Sequence, residues 1–212
     1  MTTARDSILA SVRTCLRRAS DSPVPAPPPV PLLGRVDLDA EARLTQFGER
    51  LAAVGGHLHL AIEDRGLAVV QQLLAHYAPR SIARSDASVV TTLREHESLR
   101  AQPWQRSDAS CEELFTADLG ITAAQWAIAE TGTLVLVGDE ERHRLASLLP
   151  PVHIALLPNS RVLANLGEAL KTLNRPLSPA VTFVTGPSRT ADIELQLVIG
   201  VHGPRELHVV VV

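Results

Sequence analysis

Pro179-Ala180-Val181-Thr182-Phe183-Val184, followed directly by Thr185-Gly186-Pro187-Ser188-Arg189-Thr190-Ala191-Asp192-Ile193-Glu194, is where the fold of this chain is most open to reading. The first six residues read as a buried strand, and the Leu, Ile and Val content beyond the turn predicts a helix over 190–199. A Gly-Pro-Ser bend between strand and helix would aim free backbone N–H groups outward, where they favour an anion. Arg189 adds a planar fork of donors suited to carboxylate or phosphate. Gly186, Ser188, Arg189, Thr190 and Asp192 are therefore candidates for a small-anion site. A plainer reading explains part of the same pattern. Ser188 or Thr190 can cap a helix, and Asp192 and Glu194 complement its positive end.

Outward from this unit, strands alternate with helices. Thr133–Val137, Val152–Leu157 and residues 207–212 read as strands, and residues 160–173 as a helix. Thr122 with Gln125 has capping-box spacing, and Ile121 with Trp126 has hydrophobic-staple spacing, which predicts a helix over 123–129. Glu130-Thr131-Gly132 then turns the chain, with Gly132 as a left-handed helix end. Nearer the start, Ala40, Leu44, Phe47, Leu51 and Val54 mark a helix closed by Gly55-Gly56. His57–Ala61 follow as a strand, Leu67, Val70, Leu74 and Tyr77 as a second helix, and Ser81–Ser85 as a short strand. Residues 86–116 give no clear pattern. The alternation predicts an α/β domain whose mostly parallel sheet is covered on both faces.

That domain spans 37–212. Residues 1–36 form a separate arm, with Ile8, Val12, Cys15 and Leu16 on one helical face and six prolines in the nine residues from Pro23 to Pro31. Such a linker is extended and semi-rigid.

Composition excludes several classes. The net charge of −3 and only six aromatic residues argue against nucleic-acid binding. Two cysteines, Cys15 and Cys111, rule out a disulfide framework and a self-contained iron–sulfur cluster or cysteine zinc site. Cys111 reads as a small buried apolar residue. No apolar run approaches the ~20 residues of a membrane span, and the start has no signal-peptide core, so a cytoplasmic location is expected. No nucleotide-binding glycine loop is visible.

Four further features bear on chemistry. Glu130 could act as a carboxylate nucleophile, or simply lie exposed at a helix end. His202, between Gly200 and Gly203-Pro204, could shuttle a proton or sit on a tight surface turn. Ser188, Asp192 and His202 include the residue types of a hydrolase triad, but the Gly-x-Ser-x-Gly elbow is missing. His57 and His59 share one strand face, half of a metal site with no third ligand at a recognisable spacing. On the helix reading, Gly186–Arg189, Arg144 and Asn159 lie at the carboxyl ends of strands. Glu130–Gly132 and Gly200–Pro204 would then lie at the opposite edge, about 15 Å away along a ten-residue helix.

Four blocks together resemble a known family: Ala117-Asp118-Leu119-Gly120-Ile121-Thr122, Ala129-Glu130-Thr131-Gly132-Thr133, Gly186 to Glu194, and Gly200-Val201-His202-Gly203-Pro204. Arg144 followed by Ser147-Leu148-Leu149-Pro150 fits the same pattern. The family is the LUD domain of lactate-utilisation protein C (LutC). The resemblance implies the three-layer α/β/α architecture shared with CoA transferases, ribose-5-phosphate isomerases and glucosamine-6-phosphate deaminases. It also implies a component of a system oxidising L-lactate to pyruvate, whose iron–sulfur clusters belong to partner proteins. The Glu130-Thr131-Gly132 turn is similar to the Glu-x-Gly turn of some CoA transferases. The alternative is therefore a stand-alone CoA-transferase-like or sugar-phosphate-isomerase-like enzyme using Glu130. A third possibility is an interaction module built on the N-terminal arm.

Overall fold

The computed structural model describes residues 3–20, 38–61, 65–106, 108–138, 144–173, 178–191, 197–200 and 202–212. The chain divides into two units, Met1–Val36 and Asp37–Val212. In the first, α1 (Ala4–Ser20) begins where Asp6 accepts hydrogen bonds from the backbone and hydroxyl of Thr3. Its Ile8, Leu9 and Val12 form an exposed apolar stripe. The proline segment lies outside the described residues.

The second unit is built on five parallel strands: β1 (His57–Leu60), β2 (Ile82–Arg84), β3 (Leu119–Ala123), β6 (Val152–Leu157) and β11 (Glu206–Val211). Their order is β1-β11-β6-β3-β2. All residues of β3 and β6 are buried, as expected of a parallel sheet covered on both sides. Helices α3 (Gly66–Tyr77) and α4 (Ser88–Glu95) cover one face, where Val70, Leu74 and Val90 pack on Ile121, Ile154 and Val210. On the other face lie α2 (Ala40–Ala53) and a second sheet, whose Phe47, Leu51, Leu134 and Leu136 meet Ala155, Leu157 and Val209. The N-cap Asp39 starts α2 by accepting from the Ala42 amide. The short α5 (Cys111–Phe115) carries a capping box between Ser110 and Glu113. Cys111 is exposed there rather than buried, because it sits on the solvent side of this helix's first turn.

The second sheet contains β4 (Trp126–Ile128), β5 (Thr133–Val137), β7 (Val162–Leu163) and β8 (Val181–Val184), in the order β7-β4-β5-β8. It corrects the reading of 123–129 as a helix. Thr122 is a buried residue of β3, not a cap, and its hydroxyl bonds His153. Gln125 accepts from the Val137 amide, which ties the start of β4 to the end of β5. The long helix expected over 160–173 shortens to α6 (Leu166–Thr172), capped by Asn165. β8 is partly exposed rather than buried, because it forms the margin of this sheet.

The decisive correction concerns 190–199. The Gly-Pro-Ser turn leads into a strand rather than a helix: β9 (Arg189–Ala191) and β10 (Leu197–Ile199) pair antiparallel, with Arg189 opposite Ile199. The chain doubles back instead of crossing the sheet. Two turns expected some 15 Å apart are thereby brought together.

Candidate functional site

The Gly186–Ser188 turn and the Gly200–Pro204 turn are stitched by two backbone hydrogen bonds. The Ser188 amide donates to the Pro204 carbonyl at 2.8 Å, and the Gly200 amide to the Ser188 carbonyl at 2.9 Å. Because β8 runs antiparallel to β5, its end also meets the start of β5, where Leu134 pairs with Val184. The Glu130-Thr131-Gly132 turn is therefore a third neighbour. Thr131 and Thr133 hydroxyls lie 2.6 Å apart, and Thr133 and Thr185 hydroxyls 2.8 Å apart, a chain of hydroxyls leading to the Gly186 turn. Gly132 and Gly186 adopt φ of +67° and +79°, a region that L side chains rarely enter. A Cβ on Gly186 would also come within 2.7 Å of the Val54 carbonyl oxygen.

Between these turns and the amino-terminal ends of β6 and β11 lies a cavity of about 220 Å³. Its polar lining includes Ser147, His153, Thr185, Ser188 and His202; Phe183 and Leu207 are among its apolar wall. Ser147 is placed by the 3₁₀ turn Arg144–Ser147, and its hydroxyl donates to the Arg144 carbonyl at 2.7 Å. His153 is wholly buried. Its Nε2 lies 2.8 Å from the Thr122 hydroxyl, and its Nδ1 has no partner. Burial above all, with a smaller contribution from His208, pushes this imidazole down to about 3, so the ring is neutral.

The remaining expected residues fall in distinct places. Ser188 and His202 line the cavity together with Gly186, Gly203 and Pro204. Arg189 does not line it: its guanidinium donates to the Val54 carbonyl at the end of α2, fastening the turn to that helix. Thr190 pairs with Val198 in the ribbon. The Arg144 side chain is exposed beside Ser147, and Glu130 is exposed at its turn. Asn159 stands at the carboxyl end of β6, where its amide donates to the Val212 carbonyl. Six-residue β6 separates it from the cavity by about 20 Å. Asp192 and Glu194 lie outside the described residues. The anion rationale also changes, since the turn runs into strand β9 and the Ser188 amide is already used. The polarity here comes from hydroxyls and imidazoles.

His153 and Ser147 were not singled out from sequence. A signal for His153 existed, because it is the one polar residue in the buried run Val152-His153-Ile154-Ala155-Leu156-Leu157. Such a residue requires a hydrogen-bonding partner.

Two other regions contain polar or concave features. On the α3 face of the same edge, the Tyr77 hydroxyl bridges Glu206 at 2.5 Å and His208 Nε2 at 2.7 Å. His208 Nδ1 in turn lies 3.0 Å from His59 Nε2, and His57 stacks on His208 with centroids 5.0 Å apart. Burial, then the neighbouring histidines, push His208 down to about 4. Among the described residues, no group of three or more His, Cys, Asp or Glu is arranged to hold a metal ion. At the carboxyl edge, a cleft of about 380 Å³ between α3 and α4 is walled mainly by Leu67, Val70, Val89, Leu93, Leu156 and Val212.

Comparison with known proteins agrees with this architecture. Residues 44–212 match the LUD domain family. Lactate utilization protein C of Halalkalibacterium halodurans is 32% identical over 160 residues, covering 70% of this chain and 70% of that protein. Lactate utilization protein C 1 of Bacillus mycoides is 46% identical over 94 residues, covering 42% and 40%. Lactate utilization protein C of Shouchella clausii is 37% identical over 116 residues, covering 51% of each chain. The last two matches thus span about half or less of those proteins. In three dimensions, a DUF162 family protein from Deinococcus radiodurans superposes with a TM-score of 0.63 at 22% identity, over 82% of this chain and 98% of that one. Among the described residues no helix is long and apolar enough to cross a membrane. By the extent of the domain match and the identity to the Halalkalibacterium protein, the chain belongs to the LUD-domain family of lactate utilization protein C.

Proposed function

We propose that this chain serves lactate utilization as a component of a system oxidising L-lactate to pyruvate, working with iron–sulfur partner proteins and binding a small anion, carboxylate or phosphate, in the amino-edge cavity. The relatives' names support the pathway. The observation carrying the site is the convergence of the Gly186–Ser188 and Gly200–Pro204 turns on one cavity that also contains the buried His153. Its volume of about 220 Å³ lies below the ~300–1,000 Å³ of pockets for drug-sized ligands, which favours an acid of few atoms over an acyl-CoA. Ser188 would contact the ligand, His202 would exchange a proton at the exposed rim, and Arg189 would act by fastening the turn.

The test is lactate-dependent dye reduction by the reconstituted iron–sulfur partners, with wild-type chain, Ser188→Trp, and no chain. Reduction should require the wild-type chain and fall at least about tenfold when the indole fills the cavity. Equal reduction without the chain would reject the role. Full activity of a folded Ser188→Trp variant would keep the role and remove the cavity from it.

A further inference from the structure

The Thr122–His153 pair determines more than its own packing. The Thr122 hydroxyl is buried in β3, and its one hydrogen-bond partner among the described residues is His153 Nε2. A buried hydroxyl proton without an acceptor is costly. Giving that proton an acceptor requires Nε2 to be bare, and a neutral imidazole must then carry its single hydrogen on Nδ1. In the free protein either tautomer leaves one buried donor unpaired, Nδ1–H or the Thr122 hydroxyl, but only the Nδ1–H form pairs both once an anion accepts from Nδ1. That form places a buried N–H donor without a protein acceptor on a residue that lines the cavity. Among the described residues, neither lysine nor arginine lines the cavity, and the nearby Arg189 is engaged by the Val54 carbonyl. The described lining has donors in place without a fixed positive charge.

We infer that the cavity selects a monocarboxylate over phosphate, with the Nδ1–H of neutral His153 donating to one carboxylate oxygen. This rests on the reading of the cavity as the ligand site and narrows its ligand class. A singly charged carboxylate needs a few well-placed donors, whereas a phosphate dianion needs cations that these walls do not supply. Ser188 and His202, on the two turns, are placed to take the second oxygen.

Ring ¹⁵N NMR of the full chain tests this directly, with L-lactate, acetate and inorganic phosphate as probes. With lactate or acetate bound, His153 should show a protonated Nδ1 and a bare Nε2. Lactate and acetate should shift Nδ1 together with the amides of Ser188 and His202, and phosphate at equal concentration should not. His153→Asn, which keeps an N–H near Nδ1, should bind within about threefold of wild type, and His153→Leu about tenfold more weakly. Thr122→Val should weaken binding severalfold by releasing the tautomer. A hydrogen on Nε2 in the carboxylate complex overturns the inference, as does tight phosphate binding. So does carboxylate binding that moves Ser188 and His202 equally in wild type and His153→Leu, although the cavity reading then stands. If no carboxylate perturbs Ser188 or His202 in the wild type, the cavity reading itself fails.

Discussion

The two edges of the central sheet differ in size, polarity and local topology. At the carboxyl edge, where ligands bind in most open parallel sheets, lies a cleft of about 380 Å³ with mainly aliphatic walls. At the amino edge lies a smaller cavity of about 220 Å³ bearing hydroxyls, two imidazoles and an unpaired ring nitrogen. The difference comes from the second sheet. β8 runs antiparallel to β5, and the β9–β10 ribbon returns the chain, so three turns that are separate in sequence share one edge. With the ligand site at the amino edge, as we propose, its placement follows strand direction in the added layer and departs from the rule for the parallel one.

Acid should act chiefly on the amino edge. Folding lowers His153 to about 3 and His208 to about 4, from 6.5, so the unfolded chain binds more protons between these limits. The stabilisation from these neutral rings is complete above roughly pH 6.5 and is lost as pH falls toward the folded values. The slope is at most about 1.4 kcal/mol per pH unit for each ring, together about 4–5 kcal/mol by pH ~4.5. Urea unfolding over that range should show it, with His153→Asn and His208→Asn each removing about half. An unchanged slope in both variants would move the effect elsewhere.

A somewhat smaller loss is expected from Gly120→Ala. Its added Cβ would lie 1.9 Å from the Ala146 carbonyl oxygen, beside cavity residue Ser147. A cost of about 3 kcal/mol is expected in denaturant melts, with carboxylate affinity falling in the folded fraction. Wild-type stability would mean that the 3₁₀ turn can withdraw from β3. The smallest effect belongs to the other edge. Val89→Trp should fill the aliphatic cleft, change stability by less than about 1 kcal/mol, and leave carboxylate affinity unchanged. Weakened affinity there would show that the two edges are coupled.

Four of the five parallel strands were legible locally, and β3 was not, because Thr122 with Gln125 has the spacing of a helix cap. Val152–Leu157 is an apolar run broken only by His153, and α2 shows its spacing and its cap. The second layer was harder to read. Ala124 and Ala127 favour helix locally, yet these small side chains are buried in non-helical chain in one cluster with Phe47 and Leu51 of α2 and Ala155 of β6. At both ends of the helix expected over 190–199, the described residues are instead the paired strands β9 and β10. The residues of the two cavity turns were identifiable from their Gly, Pro, Ser and His content, but their proximity was not. A hydrogen bond between Ser188 and Pro204 has no signature in local sequence.

Tyr77 is the only tyrosine in the chain, and its hydroxyl lies between Glu206 and His208. Burial and the adjacent carboxylate raise its pKa well above the usual phenol value. Phenolate absorbance in alkali is then a private optical reporter on one junction, between the end of α3 and the start of β11. It stays silent while that junction holds and rises when it opens, without any introduced label.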